Sequence, residues 1–247
     1  MTMLIGASGL ALAPQVQAAT TLDVVTGYNS APFKYGSGTG GTNFSQFMTN
    51  YAGGCFGQAT FNCHANFSPS NLPLVGKNIG ASTFTFSAIP VPNNVIFLHP
   101  GQSVGEDAIL RFTAAVADTY LLNGNFSRLD PFVTPNGGQD GVLASIFRGS
   151  GSTYTSLYSN VLTGSLGSSI GFAGLSTSLA AGDYIDFVVN RRSAFNTDST
   201  GLQATISFGA VAGAVPEPAT WAMMILGFGL IGGAMRRRSG LGASAMA

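Results

Sequence analysis

Asp183-Tyr184-Ile185-Asp186-Phe187-Val188-Val189-Asn190 decides the fold. Ile185, Phe187 and Val189 fall on one side of a strand, and Tyr184, Asp186 and Asn190 on the other. The turn residues Ala181-Gly182-Asp183 lead into it. The same two-residue period recurs upstream in Thr119-Tyr120-Leu121-Leu122-Asn123-Gly124-Asn125-Phe126, with Tyr120, Leu122 and Phe126 on one face. It recurs downstream in Leu202-Gln203-Ala204-Thr205-Ile206-Ser207-Phe208. Ala108–Thr113 and Val142–Phe147 are further strand candidates. Asn136-Gly137-Gly138 and Gly149-Ser150-Gly151-Ser152 mark turns between such runs. No stretch within 20–215 sustains a helical period. These features together predict an all-β, antiparallel β-sandwich of jelly-roll type.

The composition agrees. Of 247 residues only 8% are charged, against about 25% in an average soluble domain. Glycine reaches 34, with no three-residue period, which excludes collagen. The ten basic and ten acidic residues cancel, which argues against an electrostatic nucleic-acid binder. Low charge with 45% hydrophobic residues also argues against a charge-rich disordered chain.

Both ends differ from the middle. Met3–Ala13 is an apolar run, followed by Pro14 and a small-residue cleavage site at Val16-Gln17-Ala18-Ala19. Residues 1–19 therefore predict a signal peptide. No Lys or Arg precedes the apolar run, so the expectation is a true start further upstream. The body begins at residue 20 and runs to 212, with the tail at 213–247. Between residues 20 and 215 the chain keeps seven basic residues and nine acidic ones, the tenth being Glu217, for a formal charge of −2.

The tail reads Val215-Pro216-Glu217-Pro218-Ala219-Thr220-Trp221-Ala222, then uncharged to Met235, then Arg236-Arg237-Arg238. As a helix, residues 219–235 would rise about 25 Å, short of the roughly 30 Å hydrocarbon core but workable with thinning or snorkelling arginine. The expectation is a transmembrane sorting helix whose arginines form a cytoplasmic stop. Trp221 suits the outer interface.

Pro216, Glu217, Pro218, Trp221 and Ala222, the glycine-rich span and the arginine triplet resemble the PEP-CTERM sorting signal in its PEPxxWA variant. The resemblance covers about 26 residues, 215–240. It implies handling by an exosortase, a membrane-embedded transpeptidase-like enzyme of Gram-negative bacteria. Cleavage near the Pro-Glu-Pro would follow a transient inner-membrane anchoring. The ectodomain would then pass to the cell surface or the exopolysaccharide matrix. The implied partners are exosortase, the membrane and exopolysaccharide, with no nucleic acid. The body, over roughly 72–209, also resembles extracellular carbohydrate-binding jelly-roll modules. That resemblance implies glycan binding by analogy of fold alone.

Candidate chemistry in the body is sparse. Cys55 and Cys63 predict a disulfide in an exported chain, with free thiols or a metal site as alternatives. His99, before Pro100, is either structural or ligand-contacting. Glu106-Asp107 in a glycine-flanked loop is a candidate ligand or Ca2+ contact, although two adjacent acids fall far short of an EF-hand loop. No nucleophile elbow is present, and no catalytic residue, resident metal or other cofactor is expected. Tyr28, Phe33, Tyr35, Phe44, Phe47 and Tyr51 crowd the first third. Such aromatics can stack on sugar rings, but phenylalanine dominates among those of the body and sugar platforms favour Trp and Tyr, so Phe33, Phe44 and Phe47 are read as core. Asn43, Asn66 and Asn125 begin Asn-Phe-Ser triplets, formally glycosylation acceptors, and in a bacterial export setting are read as turn or strand-edge residues, with glycosylation as the alternative. The expected function is therefore that of an exported, non-enzymatic surface or matrix protein with a structural or adhesive role, for instance in a biofilm. The alternative is a module that captures extracellular glycan.

Overall fold

The computed structural model describes residues 19–40, 42–47, 49–66, 71–131, 140–209, 223–231 and 236. The body, Thr20–Gly209, is one compact unit, distinct from the terminal stretches. The expected signal peptide and the turn at Asn136–Gly138 lie outside the described residues, apart from Ala19.

The body is an antiparallel β-sandwich. Its strands are β1 (Thr20–Asp23), β2 (Phe33–Thr39), β3 (Asn43–Gln46), β4 (Thr49–Tyr51), β5 (Phe61–Ala65), β6 (Leu74–Asn78), β7 (Phe84–Phe86) and β8 (Ile89–Val91). There follow β9 (Ile96–His99), β10 (Asp107–Thr113), β11 (Asp118–Arg128) and β12 (Val142–Ser150). The last four are β13 (Thr153–Leu162), β14 (Ser169–Leu179), β15 (Tyr184–Asn190) and β16 (Thr200–Phe208). One sheet runs β14-β11-β16-β9-β6-β5-β4, with β1 beside β16; the other runs β13-β12-β15-β10-β2-β3.

The winding is regular over the last eight strands. β9, β11, β14 and β16 lie in the first sheet, and β10, β12, β13 and β15 in the second. Each step along the chain from β9 to β16 crosses between sheets except the β12–β13 hairpin. Its turn is the predicted Gly-Ser-Gly-Ser, where Gly151 adopts φ +56°. β11 and β14 shift register between Leu122 and Gly124, and Gly174, at φ +66°, absorbs the extra residue on β14.

The main core lies between the sheets. Tyr120, Leu122 and Phe126 meet Ile185, Phe187 and Val189 there, all fully buried. A second core lies on the outer face of the first sheet. The β7–β8 hairpin covers Phe61, Cys63, Leu74 and Phe97 with Phe84, Phe86 and Val91. β9 serves both cores, with Ile96 and Leu98 inward and Phe97 outward. That double burial explains its unbroken apolar run. Asn78 fixes the hairpin: its Nδ2 donates to the carbonyls of Ser82 and Val91, each at 2.8 Å.

Cys55 and Cys63 form the expected disulfide, with a Cα–Cα distance of 6.2 Å, inside this second core. Of the N-terminal aromatics, Phe33 and Phe47 are core, as read, and Tyr28 and Tyr35 join them there. Phe44 is only half-buried, which corrects that reading for it; Tyr51 is half-buried too. Phe44 lies over Gly36, where a Cβ would meet its ring at 2.6 Å.

Candidate functional site

The residues singled out in the body do not converge. His99 ends β9 and is buried, and its Nδ1–H donates to the carbonyl of Pro100 at 2.8 Å. Burial holds its imidazole below the usual histidine range, so it is neutral. Glu106 closes a turn. Its carboxylate accepts from Ser103 N–H at 2.8 Å, and its carbonyl accepts from Gly101 N–H at 2.7 Å. Asp107 accepts from Gly40 N–H at 2.9 Å and from the Asn190 amide at 2.5 Å. It thereby ties the tip of the β2–β3 hairpin to the face of the second sheet. Burial pushes its carboxyl up, and those two donors oppose the rise. Of the Asn-Phe-Ser asparagines, Asn43 opens β3 and Asn125 lies within β11.

That hairpin covers polar chemistry not legible locally. Arg111 on β10 faces Asp186 on β15 in register. The guanidinium lies between two rings, 3.6 Å from the Tyr184 centroid and 4.1 Å from that of Phe44. Lys34 on β2 stands opposite Arg111 on the other side.

A second grouping joins residues far apart in sequence. Asp130 accepts from Ser199 N–H at 2.6 Å, and both residues are buried. Asp198 is 2% exposed, and its Oδ2 has no hydrogen-bond partner among the described residues. Burial, then the carboxylates of Asp140 and Asp130, push Asp198 up to about 8, against a lowering by Arg128 and Arg191. Arg128, Asp198 and Ser199 line a cavity of about 10 Å3, room for one water. Among the described residues no three His, Cys, Asp or Glu side chains form a group that would hold a metal.

A broad depression lies beside β2, where β3 pairs with Gly36–Thr39 and leaves the start of the strand open. It has a volume of about 320 Å3 and is lined by Asn29, Lys34, Tyr35, Gln46, Asn50 and His64, among others. His64 stacks on Tyr35 with ring centroids 4.3 Å apart, and its Nε2 lies 2.5 Å from Asn29 Oδ1. Tyr35 O–H donates no bond to that imidazole but accepts from Asn29 N–H at 2.9 Å. Burial lowers His64 to about 4.

At the C-terminus, residues 223–231 are helical, and Met223, Ile225, Phe228 and Leu230 are exposed. Arg236 is helical too. Among the described residues no helix is long and apolar enough to cross a membrane. Pro216, Glu217, Pro218, Trp221, Ala222, Arg237 and Arg238 lie outside the described residues.

Residues 214–238 match the PEP-CTERM protein-sorting motif. No curated protein matches the chain. The motif marks the chain as an exosortase-targeted, exported surface protein, anchored in the membrane before sorting. The exposed apolar helix at 223–231 falls inside it, and large exposed apolar groups suit a segment that meets lipid or another protein.

Proposed function

We propose that the chain delivers a rigid β-sandwich to the cell surface or extracellular matrix of a Gram-negative bacterium, where it acts as a structural or adhesive protein. The match over residues 214–238 carries this reading. The Pro-Glu-Pro would be the processing region, and the apolar stretch with its arginines the transient anchor. The disulfide suits an oxidising compartment. The crossing pattern of β9–β16 supports the jelly-roll type, a double sheet wound from eight strands. We assign no catalytic role. His99, Glu106 and Asp107, the body groups with the most chemistry to offer, are each bonded within the fold.

Deleting Pro216–Arg238 tests the sorting reading. Surface retention and C-terminal processing should both be lost. Unchanged retention and processing would overturn it.

A second reading, glycan capture, is favoured by the depression beside β2, whose exposed rim is polar and uncharged apart from Lys34.

A further inference from the structure

We infer that the groove beside β2 is a binding site for an anionic polysaccharide, one bearing about one carboxylate per sugar, with Lys34 as its charge contact. This rests on the glycan-capture reading and gives it a place and a ligand class.

The lining supplies the argument. Asn29, Lys34, Gln46 and Asn50 are exposed around a floor of buried Tyr35 and half-buried His64. The Gln46 and Asn50 carboxamides and the Lys34 ammonium make no hydrogen bond or ion pair among the described residues. Each carboxamide offers both a donor and an acceptor, which matches the paired hydroxyls of a sugar. Asn29 spends its oxygen on His64 and keeps its amide N–H groups for the groove. On the other side of the Ala31–Lys34 segment is a second depression of about 280 Å3, lined by Pro32, Phe33, Thr113, Ala114 and Ala115. A polar groove beside an apolar one suits a pyranose chain, which carries hydroxyl edges and C–H faces. The two share Lys34, and each is of ligand size.

Charge selects the ligand class. In a chain with so few charges, each committed charge is informative. Lys77 donates to the carbonyl of Val25, Arg111 to Asp186, Arg148 to the carbonyl of Ser178 and Arg192 to that of Asp140. Arg128 donates to the carbonyl of Asp130, and Arg191 offsets the charge of Asp198. Lys34 is used by none of these. It also stands directly across from Arg111, and like charges opposite one another on a sheet are unfavourable. Among the described residues no acidic side chain lines the groove. His64, lowered to about 4, stays neutral near pH 7, so Lys34 alone sets the groove's charge there. One fixed positive charge fits one carboxylate per repeat.

Affinity electrophoresis of the full chain in mild detergent tests this, with alginate as polyuronate and dextran as neutral glycan. Alginate should retard the chain and dextran should not, and added salt should weaken the retardation. Lys34→Gln should weaken alginate binding on the order of tenfold. The exposed pair Gln46→Ala/Asn50→Ala should weaken it with the charge intact. Equal retardation of wild type and Lys34→Gln by alginate would overturn the site and leave glycan capture standing. Equal retardation by dextran and alginate would overturn the anion preference. Absence of retardation by either polymer would overturn both the site and the glycan reading.

Discussion

Arg111 grips Asp186 with two parallel hydrogen bonds, Nε to Oδ1 at 2.6 Å and Nη2 to Oδ2 at 2.7 Å. Asp186 is fully buried, while the arginine side chain keeps 17% exposure. Burial pushes the Asp186 carboxyl up, and the guanidinium beside it works against that rise. Removing the arginine would leave a buried carboxyl without its partner. Arg111→Met is therefore expected to cost about 3–5 kcal/mol, and Arg111→Met/Asp186→Leu much less, because no charge is then stranded. Urea unfolding of the three proteins measures the difference.

Gly149 holds the other side of this assembly open. A Cβ there would meet Tyr184 Cζ at 1.9 Å, so the ring can lie where it covers Arg111 only above a glycine. Gly149→Ala should displace Tyr184 and cost about 1–3 kcal/mol. The tyrosine fluorescence and the unfolding midpoint should both shift.

The Cys55–Cys63 disulfide closes a short loop beneath the second core. Loop-closure entropy for about nine residues is worth roughly 2.5 kcal/mol. Replacing both cysteines with alanine should lower stability by about that amount. Hydrogen exchange should rise most in β5 and in the β7–β8 hairpin, with the main core little changed.

Two groups make stability depend on pH in opposite senses, offsetting one another up to about pH 6.5. Asp198, raised to about 8 from an ordinary 3.8, holds a proton in the folded state that the unfolded chain has already released. Stability therefore falls as pH rises from about 4 to 8. His64, lowered from 6.5 to about 4, acts in the opposite sense. The unfolded chain takes up that proton first, so stability is lost as pH falls through this window. Between pH 6.5 and 8 only the Asp198 effect of this pair remains. Thermal melts should show a midpoint that declines across that range in the wild type and is flatter in Asp198→Asn.

Strands whose alternation served one buried face were legible in the sequence. β15 shows this, since Ile185, Phe187 and Val189 enter the main core. Asp186 does face away from that core, as its position in the strand implies. Its full burial was hidden, because the cover comes from a distant hairpin: Gly40 lies against Val188 and Phe147, at 2.6 Å and 3.3 Å from where its Cβ would be. β13 and β14 escaped the reading for a different reason. Their Ser, Thr and Gly residues lie at sheet margins, mostly exposed on both faces, so no apolar period marks them. The sorting motif was legible in full, because its residue types and order are local. The groove beside β2 was not, since Lys34, Asn50 and His64 meet only once β2, β4 and β5 are placed.

By the reading proposed above, the tail is cut and the body is sorted to the cell surface. Peptide mapping of the surface-exposed protein from exosortase-positive cells tests it most directly. The mature protein should end near Pro216–Pro218, with the Met223–Arg238 peptides absent, and should keep an intact tail when exosortase is deleted. Surface protein that still carries its tail through Ala247 in exosortase-positive cells would contradict it.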